Sequence, residues 1–86
     1  MGRRLILADG TRIEYGEAGL WEGSLWCYLP GWALDRAARI FTNPAKTSEI
    51  RYQYGEMEDV FRGYINCINI MTESGQISVC LVKGAS

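Results

Sequence analysis

Histidine is missing from all 86 residues. Its absence removes the side chain that most often acts as general base near neutral pH. The serine–histidine–carboxylate and cysteine–histidine nucleophile arrangements go with it. Cysteine is sparse: Cys27, Cys67 and Cys80 are odd in number and far apart in sequence. Neither a disulfide-dense secreted scaffold nor a clustered zinc site is expected from them. Cys27 and Cys80 alternate within strand-like runs and read as buried core thiols. There are ten glycines, yet none forms the G-x-G-x-x-G or G-x-x-x-x-G-K pattern that cradles phosphates. Positive charge is not in excess: nine Lys and Arg stand against ten Asp and Glu, for a net charge of −1. A general nucleic-acid binder is usually basic, so that class is not expected.

Long apolar runs are also lacking, and no segment approaches the roughly 20 residues of a membrane-spanning helix. No cleavable signal pattern opens the chain. An intracellular protein with reduced thiols and no membrane association is expected. The acids Glu56, Glu58 and Asp59 cluster in a turn-like stretch. They lack the spaced oxygen ligands of a calcium loop and read as solvated charge. No metal or cofactor is expected, and no enzymatic activity. A small hydrolase or transferase working without histidine would have to rely on Glu58 or Asp59.

What is present is a small single domain, residues 1–86, with 48% hydrophobic residues and an aromatic content of 12%. Asp9-Gly10 predicts a two-residue type I′ hairpin, with Ile13 and Tyr15 on the buried face of the following strand. Residues 24–29, SLWCYL, predict a strand with Leu25, Cys27 and Leu29 on one face and Trp26 and Tyr28 on the other. Pro30-Gly31 ends it. The period then changes. Leu34, Ala37, Ala38 and Phe41 predict a short helix over 32–41, stopped at Asn43-Pro44, with Asp35 and Arg39 paired on its outer side. Ile50, Tyr52 and Tyr54 share one face of the next strand. Residues 59–71 predict one long strand, or a strand bent at Gly63, where a bulge is natural. Glu73-Ser74-Gly75 turns into a last strand, 76–82, with Ile77, Val79 and Leu81 inward. The fold class is α+β, ordered β-β-β-α-β-β-β: a curved antiparallel sheet or small open barrel of about six strands with one helix.

With catalytic chemistry absent, the aromatic rings and arginines carry the functional reading. Trp26 and Tyr52 fit structural roles. Trp21 and Trp32 lie at element ends, where rings are less buried. Trp32 suits either a staple at the helix start or a stacking platform. An arginine beside a ring suits a flat anion such as a nucleotide, because the ring stacks the base and the guanidinium grips the phosphate. Trp32, Arg36, Arg39, Tyr54 and Arg62 are the candidate ligand-binding residues on this basis.

The stretches ADGT (8–11), FTNPAKT (41–47), YQYGE (52–56), FRGY (61–64) and GQISVCL (75–81) resemble those of small phage and prophage accessory proteins of Gram-positive bacteria. The resemblance covers most of the chain. It implies a non-enzymatic binding protein in the cytoplasm of an infected host. Such a protein counters immune defence by sequestering a nucleotide-like signal or by occluding a defence protein. A virion or assembly part is the alternative. A homo-oligomer is expected in either case.

Overall fold

Alternation of apolar and polar residues dictates a sheet with one buried face, and the fold is built on that requirement. The computed structural model describes residues 3–54 and 56–83, without the side chains of residues 53 and 54. In chain order the elements are β1 (Arg4–Ile6), β2 (Arg12–Glu14), β3 (Ala18–Trp21) and β4 (Ser24–Pro30), a 3-10 turn (Gly31–Ala33), α1 (Leu34–Arg39), then β5 (Ser48–Tyr54), β6 (Met57–Met71) and β7 (Gln76–Val82). All the strand pairs are antiparallel. The strands lie in the order β2-β1-β5-β6-β7-β4-β3.

The α+β class stands, but there are seven strands and not six, and four of them precede the helix. The additional strand is β3. Its sequence, AGLW, does not alternate, and the glycines before it read as a break. Pairing with β4 supplies the strand geometry that local sequence does not. Gly19 lies opposite Trp26, and a Cβ there would strike the indole ring, so the glycine leaves room for the ring to lie across the edge strand. The sheet is open, with β2 and β3 as its edges and no ladder joining them; it does not close into a barrel. The short segment between these edges bonds to both sides. Tyr15 N donates to Arg3 O at 3.0 Å, Gly16 N to Tyr28 O at 2.9 Å, and Tyr28 N to Glu17 O at 2.9 Å.

The first turn differs in type from the reading of Asp9-Gly10. Leu7 N donates to Thr11 O and Gly10 N to Leu7 O, and only Gly10 has positive φ, at 90°. This is a three-residue loop, Ala8–Gly10, with glycine in the left-handed position. The Asp9 carboxylate, by accepting from Thr11 N at 2.9 Å, favours it over the two-residue turn. The turn with two positive φ values is Glu22-Gly23, at 48° and 83°. It joins β3 to β4 with Trp21 opposite Ser24.

Leu5, Ile13, Leu25, Cys27, Leu29, Ile50, Ile65, Ile77, Val79 and Leu81 are fully buried in one cluster, with Ala33, Ala37 and Ile40 of the helical segment among them. The helix is shorter than expected and turns a different stripe inward: Ala37 and Ile40 are buried, whereas Ala38 and Phe41 are exposed. Its regular part ends at Arg39, before the proline can act. There the chain turns away, with Thr42 at φ 55° and Thr42 N donating to Ile65 O at 2.7 Å. Tyr15 is buried, and its hydroxyl donates to Arg51 O at 2.5 Å. Cys80 is not core: it faces outward and is half-buried, because Ile77, Val79 and Leu81 take the inner phase of β7.

Strand β6 is continuous over 57–71, and Gly63 lies within an unbroken ladder to β5. The irregularity falls instead between Ile65 and Cys67. Gly63 serves close approach: a Cβ there would collide with the carbonyl of Val82 and the Phe61 ring. Its partner Ser48 is buried, and its hydroxyl has no hydrogen-bond partner among the described residues. Gly63→Ala is therefore expected to destabilise the fold by roughly 2 kcal/mol or more. Ser48→Ala should be neutral within about 0.5 kcal/mol or stabilising. Urea unfolding of the two variants measures both; equal losses would refute this account of the pair.

Candidate functional site

The expected site residues occupy separate parts of the surface. Trp32 sits in the 3-10 turn, 60% exposed. It lines an open groove of about 550 Å³ together with Arg12, Tyr15, Pro30 and Gln76. Arg36 reaches from α1 to the β1–β2 loop, where its Nη1 lies 3.4 Å from Asp9 Oδ2 and 3.2 Å from Thr11 Oγ1. Arg39 pairs with Asp35 one turn back at 3.0 Å. Arg62 pairs across strands with Glu49, Nε to Oε1 at 2.7 Å. It lines a different groove, of about 370 Å³, with Arg51, Val60 and Lys83. The Tyr54 side chain lies outside the described residues. Trp32 thus shares its groove with Arg12, a residue the sequence reading did not select, and Arg62 shares its own with Arg51 and Lys83.

The outward surface of the sheet divides into two halves of opposite character. Strand register places Arg12, Ile6, Glu49 and Arg62 in one row across β2, β1, β5 and β6. Beside it run Glu14, Arg4 and Arg51. Arg51 pairs with Glu58 at 3.9 Å. These are solvated ion pairs worth little individually. This half is a mixed-charge face of ordinary kind.

The half built from β3, β4, β7 and the end of β6 is different. Gly19, Trp26, Cys80 and Cys67 form one row; Tyr28, Ser78 and Asn69 form the next, with Glu17 bonded to Tyr28 at its β3 end; beside them Trp21 lies opposite Ser24 and Tyr64 opposite Val82. Of these residues only Glu17, at the sheet edge, is charged. Trp26 and Tyr28 lie with ring centroids 5.3 Å apart, tilted by 55°. Trp21, at the β3–β4 turn, is 68% exposed. The signal for this face was present in the sequence. Residues 24–30, 64–71 and 76–82 contain no charged side chain, whereas a strand with one solvated face normally carries some.

Among the described residues no group of three or more Cys, Asp or Glu is placed to hold a metal ion. No helix among them is long and apolar enough to cross a membrane. Burial pushes the Cys27 thiol up to about 12, which leaves it neutral and inert. Asp9 is held below the usual 3.8 by its hydrogen bonds from Thr11 first and by Arg36 after that. A lowered carboxylate pKa contributes stability that is present above 3.8 and lost as pH falls through the folded value. Thr11→Ala, which removes the hydroxyl and keeps the backbone donor, and Arg36→Ala are each expected to raise the Asp9 pKa. A carboxylate NMR titration of the two variants reads this directly, and an unchanged Asp9 pKa in either would overturn that cause.

No protein-family model, no curated protein and no solved structure matches this chain.

Proposed function

We propose that the protein is a non-enzymatic binding protein of the phage counter-defence kind. It acts by occluding a protein partner with the outer face of β3, β4, β7 and the end of β6. The observation that carries this reading is the lack of charge across β4, β7 and the end of β6. Residues 24–30, 64–71 and 76–82, which hold Trp26, Tyr28 and Tyr64, include no charged residue, and the charge nearest them is Glu17, opposite Tyr28 at the sheet edge. The neighbouring half of the same sheet carries arginine and glutamate at equivalent positions. Depletion of charge and enrichment in Trp and Tyr mark the buried centre of protein interfaces. The resemblance to phage accessory proteins supplies the biological setting.

A second reading, sequestration of a nucleotide-like signal, draws support from one observation. Trp32, which is exposed, and Arg12 line the same groove, with Glu14 also in its wall; a ring there offers a stacking surface and an arginine a phosphate grip. Virion assembly is the third possibility, and self-association through the uncharged face or through the open edges β2 and β3 fits any of the three.

The test is phage plating on bacteria that carry an immune system and express the protein. Wild type is expected to restore plaques. Ser78→Lys puts a charge at the centre of the face, between Tyr28 and Asn69. It should weaken partner binding about a hundredfold or more, as an unpaired buried charge does, and abolish the rescue. Trp32→Ala combined with Arg12→Ala should leave rescue intact. The opposite pattern would replace occlusion with sequestration. No rescue by wild type, together with its recovery in purified virions, would sink both in favour of assembly.

A further inference from the structure

Strand β6 changes phase just where it leaves β5 for β7. Ile65 pairs with Leu81, and the next residue in register is Cys67, opposite Cys80. Asn66 is the extra residue. Without it, period-two alternation would put Cys67 on the same side as the buried Ile65. With it, Cys67 turns outward, onto the face that Cys80 already occupies. Both thiols are half-buried and free. They are directly opposed on neighbouring antiparallel strands, where Cα atoms lie about 4.5–5.5 Å apart. That is within the range a disulfide spans. The third cysteine, Cys27, is fully buried on the inner face of β4 and serves as an internal control.

We propose that Cys67 and Cys80 form a redox-active dithiol, closed to a cross-strand disulfide by a low-molecular-weight disulfide such as oxidised glutathione. Cys67 attacks one sulfur of the oxidant as its thiolate, and a mixed disulfide forms as the first small thiol leaves. Cys80 then gives up its proton and attacks the Cys67 sulfur, releasing the second small thiol. Two protein thiols are oxidised and one small disulfide is reduced to two thiols, with no other reactant needed. The order of attack follows from the surroundings. Burial first, then the hydrogen bond with Cys67, push Cys80 up to about 11, so its own thiolate is scarce and it serves as the resolving thiol once the mixed disulfide stands opposite it. The closed form staples β6 to β7 in the middle of the uncharged face, in the row that holds Trp26. The inference stands independently of the function proposed for that face.

The experiment uses the full, folded, reduced chain. It is equilibrated across ratios of reduced to oxidised glutathione, trapped with N-ethylmaleimide, unfolded and cut with trypsin. Cleavage after Arg62 and Lys83 leaves Cys67 and Cys80 in one peptide and Cys27 in another. The expected result is a peptide spanning 63–83 that loses two hydrogens and takes no maleimide. Its fraction should climb from about a tenth to about nine-tenths over roughly a hundredfold change in the redox ratio. Cys27 should stay reduced throughout. Cys80→Ser should hold a glutathione adduct on Cys67 that never resolves, and Cys67→Ser should react more slowly. Two maleimide-labelled thiols at every ratio, or a stable glutathione adduct on the wild-type peptide, would overturn the proposal, and neither outcome depends on a variant that folds.

Discussion

Everything in this fold hangs on one strand being long enough to serve two ladders. β6 runs from Met57 to Met71, pairing its first half with β5 and its second with β7. A chain of this size has a thin stability margin, and it cannot maintain two separate cores. Sharing β6 lets the residues of both ladders enter one cluster. The cost of a long strand is that its two halves must point their apolar residues correctly toward the same interior. The irregularity at Ile65–Cys67 meets that demand by shifting phase once. The Ile65 carbonyl accepts from Thr42 N, so the end of the helical segment is tied to the same point. The bulge, the helix exit and the change of partner strand are one local solution.

The segment between β2 and β3 plays the matching part on the far side. The two edges of the sheet are consecutive in the chain, and Tyr15, Gly16 and Glu17 bond to Arg3 and Tyr28 as they cross between them. Tyr15 anchors this passage from within, its ring in the core and its hydroxyl on the Arg51 carbonyl. A buried phenol must find an acceptor. The one it finds belongs to β5, two strands away from β2 in the sheet order.

How much of this was legible depended on whether a residue's structure was decided locally. Strands β4, β5 and β7 alternate cleanly, so the sequence groups their faces correctly; it points inward Cys27, Ile77, Val79 and Leu81, which are buried, while the choice between the Leu25/Cys27/Leu29 and Trp26/Tyr28 faces of β4 is made by packing. β3 was missed because AGLW has no period; its conformation comes from β4, which is a tertiary effect. The long strand was one of the two readings of 59–71 and is what forms; the other, a bend at Gly63, rested on glycine commonly marking a bulge. The true signal was subtler: Asn66 and Asn69 are both exposed but three apart, a spacing no regular strand can put on one face. The helix was drawn too long because its stop signal was assigned to Pro44, whereas packing on the core selected Ala33, Ala37 and Ile40. Of the candidate site, Trp32 was read as an exposed ring at an element end, and it is one. Its neighbour Arg12 was out of reach, since only the pairing of β2 brings that arginine beside it.

The division of charge across the sheet explains why single-residue reasoning about rings and arginines fell short. Taken one at a time, Trp26 and Tyr28 look like core residues and Arg51 and Arg62 like ligand grips. Register reverses both impressions. The two rings stand on the outer surface, Trp26 covering Gly19, while Arg51 and Arg62 face glutamates on adjacent strands. A strand buries its inner residues whether or not its outer ones are charged, so the core places no requirement on Ser24, Ser78, Asn69 or Val82. Their shared lack of charge across β4, β7 and β6 is therefore information about what lies beyond the fold. An outer face free of charge gains nothing for solubility and leaves unpaired edges less protected. Under the occlusion proposed above, this is the face that the partner covers.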